Sequence, residues 1–312
     1  MKLQTRPTLR DALLLIVVNV LWGGSAVAAK AALGGFDAAE APHLQPHTLA
    51  LLRFSTAALL LLAFQRIRGE TVSFRREDRA AFVWTGILGT SAAYSLFYQG
   101  AALTSASEMN LLVAAEPILI AVLGWRFLGE RLSPAKSAGM LLGFLGIYLI
   151  LARGITLKFG GSSVGNSVVL AALSLESIGA VISKRLAASY DGINVVLGCA
   201  VPGCIGLLPF AVWELVNQAP YVSVSALCGL LYLALVCSTF CYGVWFMYVP
   251  RFGISTLSVF LFIQPVVAPL YGRIFLGETV PLITLLGASI TLCGVWLVAR
   301  ESAPLPSGME HA

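Results

Sequence analysis

The chain has 312 residues, 58% hydrophobic and 11% charged, with a formal net charge of +5. Soluble domains carry about 25% charged residues, so the composition excludes a water-soluble globular protein and turns most of the surface toward lipid or toward other helices. The modest positive charge does not indicate nucleic-acid binding, because no basic patch with interleaved aromatics occurs outside the loops.

A membrane-crossing helix needs about 20 mostly apolar residues. Ten segments meet that need: 11–33, 47–66, 80–99, 105–125, 134–152, 165–186, 193–214, 225–248, 254–273 and 280–300, numbered here as spans 1 to 10. Span 1 follows Lys2, Arg6 and Arg10 and ends in Ala26, Ala28 and Ala29, the pattern of a signal peptide. It is expected to be retained, because it is the repeat partner of span 6. Asn19, Trp22 and Ser25 fall three apart on it and predict one broad stripe. Such a stripe suits a cavity wall better than lipid, with a helix–helix contact as the plainer alternative. Lys30, near the outer end, is expected to snorkel.

Span 2 holds Arg53, which needs a partner inside the membrane. Glu108 or Glu40 could pair with it, and alternatively its fork could hold a substrate carboxylate. Tyr94 and Tyr98 share one face of span 3. Glu116 stands at the centre of span 4, just before Pro117. Ser133-Pro134 predicts an N-cap with proline at the first helical position of span 5. Gly139 and Gly143 on span 5, and Gly287 and Thr291 on span 10, form small-residue faces that predict packing seams within the protein or between protomers of a homo-dimer. Glu176 is central in span 6, Tyr242 lies one turn beyond Ser238 and Thr239 in span 8, and Gln264 precedes Pro265 in span 9. Trp84, Trp125, Trp213, Trp245 and Trp296 lie nearer span ends, where an interfacial belt accounts for them. Glu130 and Glu278 follow spans 4 and 9. A helix C-terminus disfavours them, so they are expected to serve the N-terminus of the next helix. Residues 301–312 contain two prolines and no periodicity and are expected to form a disordered tail.

The chain contains itself twice. Residues from about 80 to 152 align with those from about 228 to 300 at a constant shift of 148. Glu116-Pro117 falls on Gln264-Pro265, Phe127-Leu128-Gly129-Glu130 on Phe275-Leu276-Gly277-Glu278, and Tyr94 on Tyr242. At a shift of 154, residues 25–30 fall on 179–184, and Trp22 falls on Glu176. The expected organisation is a first five-helix repeat over 1–153, a connector over 154–164, a second repeat over 165–300 and a tail over 301–312. An odd number of spans per copy inverts the second copy. The predicted fold is therefore all-α and integral to the membrane, ten helices in two inverted five-helix repeats.

The lysines and arginines support the inversion. With the N-terminus in the cytoplasm, fifteen fall in inner loops and three (Arg153, Lys158 and Arg273) in outer ones. The loop between spans 2 and 3 has five arginines and its counterpart between spans 7 and 8 has none. The loop between spans 1 and 2 has none and its counterpart carries Lys184 and Arg185. Both termini are expected in the cytoplasm.

In order and spacing these features resemble the drug/metabolite transporter superfamily, in its ten-helix EamA-domain branch. The residues are Trp22-Gly23-Gly24-Ser25, Leu52-Arg53-Phe54, the Ala-Leu-x-x-Ala-Ser stretch at the start of span 4, Pro117 and Pro265, and the two Leu-Gly-Glu ends at 128–130 and 276–278. The resemblance implies a proton- or exchange-driven carrier of small metabolites, often an exporter of amino acids or related compounds, in a bacterial inner membrane.

An inverted repeat places a substrate site near mid-membrane, between the copies. The residues expected to line it are Asn19, Trp22, Ser25, Tyr94, Tyr98, Glu116, Glu176, Tyr242 and Gln264. A carboxylate at that depth costs about 2.5–3.5 kcal/mol on insertion scales, which makes Glu176 and Glu116 candidates for a coupling-proton site or an amine-binding site. The alternative is a protonated or hydrogen-bonded glutamate that ties two helices. For Glu116, repair of the backbone opened by Pro117 is a further alternative. Expected partners are a small-molecule substrate and the bilayer, with no nucleic acid.

No cofactor or metal is expected: the six cysteines have no metal-ligand spacing with histidine, and no Gly-x-Ser-x-Gly or nucleotide-binding loop occurs. His43 and His47 flank Pro46, which makes a two-histidine site weak. The rival classes are an intramembrane enzyme and a passive channel. A saturable, competable flux separates a carrier from a channel.

Overall fold

The structure is a computed structural model that describes residues 8–34, 44–103, 112–152, 163–218, 222–276 and 282–301. Seven continuous helical stretches of 22 to 29 residues are long and apolar enough to cross a bilayer, and Pro134–Ile150 and Leu282–Val298 are shorter apolar helices. No strand occurs among the described residues. The N-terminal part of span 4, the connector and residues 302–312 are among the tracts outside them. Glu40, Glu108 and Glu278 fall outside them as well.

The expected spans are present as far as the described residues run; turns interrupt spans 1, 4 and 9, and π-helical segments interrupt spans 3 and 8. Span 1 is α1 (Leu9–Gly23) and α2 (Ser25–Gly34). A capping box starts it: Asp11 N–H donates to Thr8 Oγ1, and Thr8 N–H to Asp11 Oδ2 at 2.9 Å. Span 2 is α3 (Pro46–Ile67). Span 3 runs through α4 (Arg79–Gly86), a π-helical segment at Ile87–Ala92 and α5 (Ala93–Leu103). Span 4 continues as α6 (Glu116–Leu128), entered through a turn at Ala114 and Ala115. Span 5 is α7 (Pro134–Ala152), with Lys136 N–H on Ser133 Oγ at 3.2 Å, the cap its sequence predicts.

Span 6 is the unbroken α8 (Ser163–Ala187), and span 7 is α9 (Gly192–Asn217). Span 8 repeats the plan of span 3: α10 (Val224–Leu231), a π-helical segment at Tyr232–Cys241 and α11 (Tyr242–Phe252). Span 9 is α12 (Ile254–Phe260) and α13 (Ile263–Leu276), parted by a turn just before Gln264-Pro265. Span 10 is α14 (Leu282–Glu301).

Contacts between the copies are reciprocal. On α7 and α14, a Cβ on Gly139 would meet Gly294 O at 2.7 Å, and a Cβ on Gly287 would meet Gly146 O and Ile150 N. Gly287 and Gly294 are the repeat mates of Gly139 and Gly146. When i meets j and the mate of i meets the mate of j, the relation is a two-fold, as in an isologous interface. Thr291 Oγ1 reaches Gly143 O at 3.4 Å, and these two are themselves mates. The small-residue faces are therefore consumed inside one chain, where glycine lets two backbones touch.

The chain crosses from span 8 to span 9 at Gly253, with φ of 78° and ψ of 157°. Only glycine adopts that conformation freely. The turn leaves the first amides of α12 pointing away from their own helix.

Candidate functional site

Two symmetry-related tyrosines form the centre. Tyr94 is the second residue of α5 and Tyr242 the first of α11, so each stands in the first turn after a π-helical segment. The extra residue per turn rotates the helix beyond it, and such segments recur at functional sites. Here it brings the two hydroxyls, 148 residues apart in sequence, to 3.0 Å from each other. Tyr242 Oη also lies 3.4 Å from Glu176 Oε1, and Tyr94 Oη is a second hydroxyl against the same carboxylate. Glu176, from the unbroken α8, is thus met by both repeats.

Glu116 stands at the N-terminus of α6, close enough to Glu176 for their charges to interact. Glu116, Glu176, Tyr94 and Tyr242 are only partly covered by their neighbours in this interior cluster. Around it stands an aromatic wall. Tyr242 meets Trp22 edge-on at 5.2 Å and stacks with Phe246 at 6.2 Å. Tyr94 meets Phe54 at 5.1 Å and Tyr98 at 6.1 Å. An aromatic wall supplies apolar area with polar tips.

The remaining expected residues divide. Trp22 is 8% exposed and donates Nε1–H to Cys237 O at 3.0 Å. Asn19 is fully buried; it donates to Leu15 O at 2.8 Å and accepts from Gln264 Nε2 at 3.2 Å. Asn19 and Gln264 therefore tie α1 to α13. The predicted Asn19–Trp22–Ser25 stripe is not continuous, because the helix stops at Gly23 and Ser25 starts α2. The carbonyl of Leu21 at this break is taken by the Tyr232 hydroxyl at 2.7 Å, and Gly24 leaves room for that hydroxyl. Adjacent small residues are a common site of helix kinks, and Gly23-Gly24 is the signal for this one.

Two further expectations need correction, and a third residue is newly placed. Trp245 is not interfacial: it is 5% exposed and packs against Trp22 at 5.8 Å. Trp84, Trp125, Trp213 and Trp296 are 54–63% exposed, as a belt requires. Glu130 does not cap the next helix; its carboxylate accepts from Ile254 N at 3.0 Å and Ser255 N at 2.8 Å, at the start of α12 in the other repeat. Arg53, whose expected partners lie outside the described residues, enters the central cluster. Its Nε donates to Ser238 Oγ at 2.7 Å, and the guanidinium lies 4.9 Å and 5.1 Å from the ring centres of Phe54 and Tyr94. Ser238 comes from the π-helical segment, one turn before Tyr242, and that spacing is the sequence signal for its place in the cluster.

An apolar crevice of about 540 Å³ opens between spans 3, 4 and 6, lined by Ala81, Leu123, Phe127, Ile178, Val181 and Arg185 among others. None of the candidate residues lines it. With one charged group and no polar cluster, it can hold hydrocarbon but cannot orient a polar solute.

The sequence profile of the EamA-like transporter family matches residues 9–152 and again 163–300. An uncharacterized transporter of Archaeoglobus fulgidus is 25% identical over 291 residues, spanning 93% of this chain and 97% of its own. A Streptantibioticus cattleyicolor protein named "probable terminal-alkyne amino-acid exporter" is 27% identical over 291 residues, spanning 92% of this chain and 93% of its own. A solved crystal structure superposes with a TM-score of 0.74 at 21% identity, covering 95% of this chain and 100% of that one, a likeness of fold. Two matches to one family, in a chain of apolar helices folded about a two-fold, place this multi-pass membrane protein in the EamA-like transporter family.

Proposed function

We propose that the protein is a secondary active transporter, not an enzyme, that exports amino acids or related small metabolites across a bacterial inner membrane by alternating access. Both termini lie in the cytoplasm. The two repeats rock about the central cluster, and the breaks in spans 1, 4 and 9 let the half-helices bend. Glu176 binds either a proton or the substrate amine. Because one carboxylate cannot hold both, export of substrate is exchanged for entry of a proton. Glu116 shares the negative charge at the site.

The observation that carries this reading is the meeting of Tyr94 and Tyr242 over Glu176. A structural carboxylate would be closed off, as Glu130 is at 4% exposure. This one sits where the two copies meet and remains half-buried. A secondary transporter needs a site that either side can open. The partly apolar, partly charged walls fit a small polar solute with an apolar body.

Counterflow in proteoliposomes tests it. Vesicles are preloaded with one unlabelled compound at a time, covering neutral and aromatic amino acids, purines and polyamines, and entry of the same labelled compound is followed. Saturable counterflow is expected for one class. In Glu176→Gln the rate should lose its pH dependence and fall about tenfold or more, the equivalent of one hydrogen bond to a charged group. A flux linear in concentration would indicate a channel instead, and unchanged rate and pH dependence in the variant would remove Glu176 from the coupling step.

A further inference from the structure

Among the described residues, Arg53 is a charge buried without an ionic partner. The residue is 5% exposed. Its neighbours are the Ser238 and Tyr98 hydroxyls and the faces of Phe54 and Tyr94. No described carboxylate lies within ion-pair distance of it. Glu176 feels its charge but bonds to the tyrosines instead. A buried guanidinium is normally paired, because leaving it unpaired is costly. The structure therefore holds Arg53 and Glu176 on either side of the Tyr94–Tyr242 pair. Among the described residues, nothing polar beyond hydroxyls fills the planar fork that best receives a carboxylate.

We propose that Arg53 is the carboxylate-recognition residue of the transport site, and that the substrate is a zwitterionic α-amino acid. Its carboxylate lies on Arg53, its ammonium on Glu176, and its side chain against Trp22, Phe54 and Phe246. This rests on the carrier reading above and adds to it the two charges a substrate must carry. One bound molecule meets both charges together only when it is a zwitterion. A simple amine would leave Arg53 unpaired, and a simple acid would leave Glu176 unpaired. The aromatic wall leaves the side chain free to vary among large apolar groups, because stacking and packing make no demand on hydrogen-bond pattern.

The test uses the full chain in proteoliposomes with three matched sets: L-leucine, L-phenylalanine and L-tryptophan, each with its decarboxylated amine and its deaminated acid. Labelled amino acid provides the counterflow and the unlabelled compounds compete. The parent amino acid should compete at least about tenfold more strongly than either truncated form, as expected where a site's buried polar group is left unpaired. In Arg53→Gln, shown to be monodisperse, that preference over the amine should collapse toward parity while the amine competes as before; Arg53→Lys should retain part of it. An amine that competes as well as its amino acid in the wild type overturns the proposal and leaves Arg53 as an internal counter-charge. Equal loss for amino acid and amine in Arg53→Gln also overturns it, because a structural role would weaken both alike. Counterflow of purines or polyamines without amino acids refutes the zwitterion and spares the carrier. Failure of every compound to move refutes both.

Discussion

Glu130 follows Gly129, whose φ of 65° ends α6 in the left-handed region and turns the chain sharply. Its carboxylate then receives two amides of α12 and the ammonium of Lys184 from α8, and only 4% of the residue is exposed. A negative charge at a helix N-terminus is favourable, and here it also joins spans 4, 6 and 9. Burial alone would raise its pKa. The hydrogen bonds from Lys184 and Ser255 outweigh burial and hold the carboxyl below its ordinary 4.5. A group with a lowered folded pKa stabilises fully above its unfolded value and loses that contribution as the pH falls through the folded value. Glu130→Gln should therefore destabilise by about 1.5–3 kcal/mol near pH 7, the range for hydrogen bonds to a charged group. The gap from wild type should be full above the ordinary carboxyl value of 4.5 and shrink as the pH falls below it. Tryptophan-monitored melting in detergent at those pH values checks it, and a gap independent of pH would mean that the charge is not what holds the junction. The charged residues themselves are legible in the sequence, since a carboxylate within or beside an apolar span is conspicuous. Their partners are not. Glu130 meets residues 54 and 124 positions away, and Arg53 meets one 185 positions away. Local dipole reasoning reaches only the adjacent helix.

Elements differ in how far their sequence determines them. The spans follow from apolar length, and Ser133-Pro134 and Gly24 mark a start and a break by local chemistry. The π-helical segments of spans 3 and 8 carry no such mark: Ile87–Ala92 and Tyr232–Cys241 hold no proline, and the wider turn follows from where their neighbours pack. Thr239 Oγ1 donating to Ala234 O at 2.8 Å shows a side chain taking a carbonyl there. Nothing local predicts either segment, although the duplication implies that one entails the other. The small-residue seam of α7 and α14 is legible in the sequence and can be tested as an element. A side chain on Gly146 would enter space 2.5 Å from Gly287 O and 2.7 Å from Thr291 N. Backbone cannot retreat as a side-chain tip can, so Gly146→Leu must part the two helices. Overpacking of this kind costs about 1–3 kcal/mol or more, and a clear loss of monodisperse protein is expected. Leu141→Ala, on the same helix at 60% exposure, faces away from the seam and should leave yield unchanged. Similar losses from both substitutions would mean that α7 and α14 do not pack through this face.

For the molecule as a whole, one chain must hold two copies in opposite orientations, each opposing the other's preferred topology unless its charges have changed sides. The positive charges did change sides. The five arginines between spans 2 and 3 have no counterpart between spans 7 and 8, while Lys184 and Arg185 appear where the first copy has none. Short basic loops stay in the cytoplasm, so each copy is fixed by its own loops and the two assignments agree. Reciprocal contacts across a two-fold in the membrane plane then become possible, since that axis requires one copy inserted each way. The prediction is a sidedness map. Three cysteines (Cys199, Cys237 and Cys241) are buried, and Cys228 and Cys293 are exposed, so the map is made in a variant with all six replaced by alanine. Single cysteines then go to three exposed positions: Ser73 between spans 2 and 3, Ser189 after span 6, and Gln218 after span 7. In intact cells a membrane-impermeant maleimide should label Gln218→Cys and leave Ser73→Cys and Ser189→Cys unlabelled until the membrane is opened. Labelling of Ser73→Cys and Ser189→Cys but not Gln218→Cys would invert the whole molecule. Labelling of only one of those two would contradict the inverted repeat, because those loops belong to different copies and share a side only if the copies are opposed.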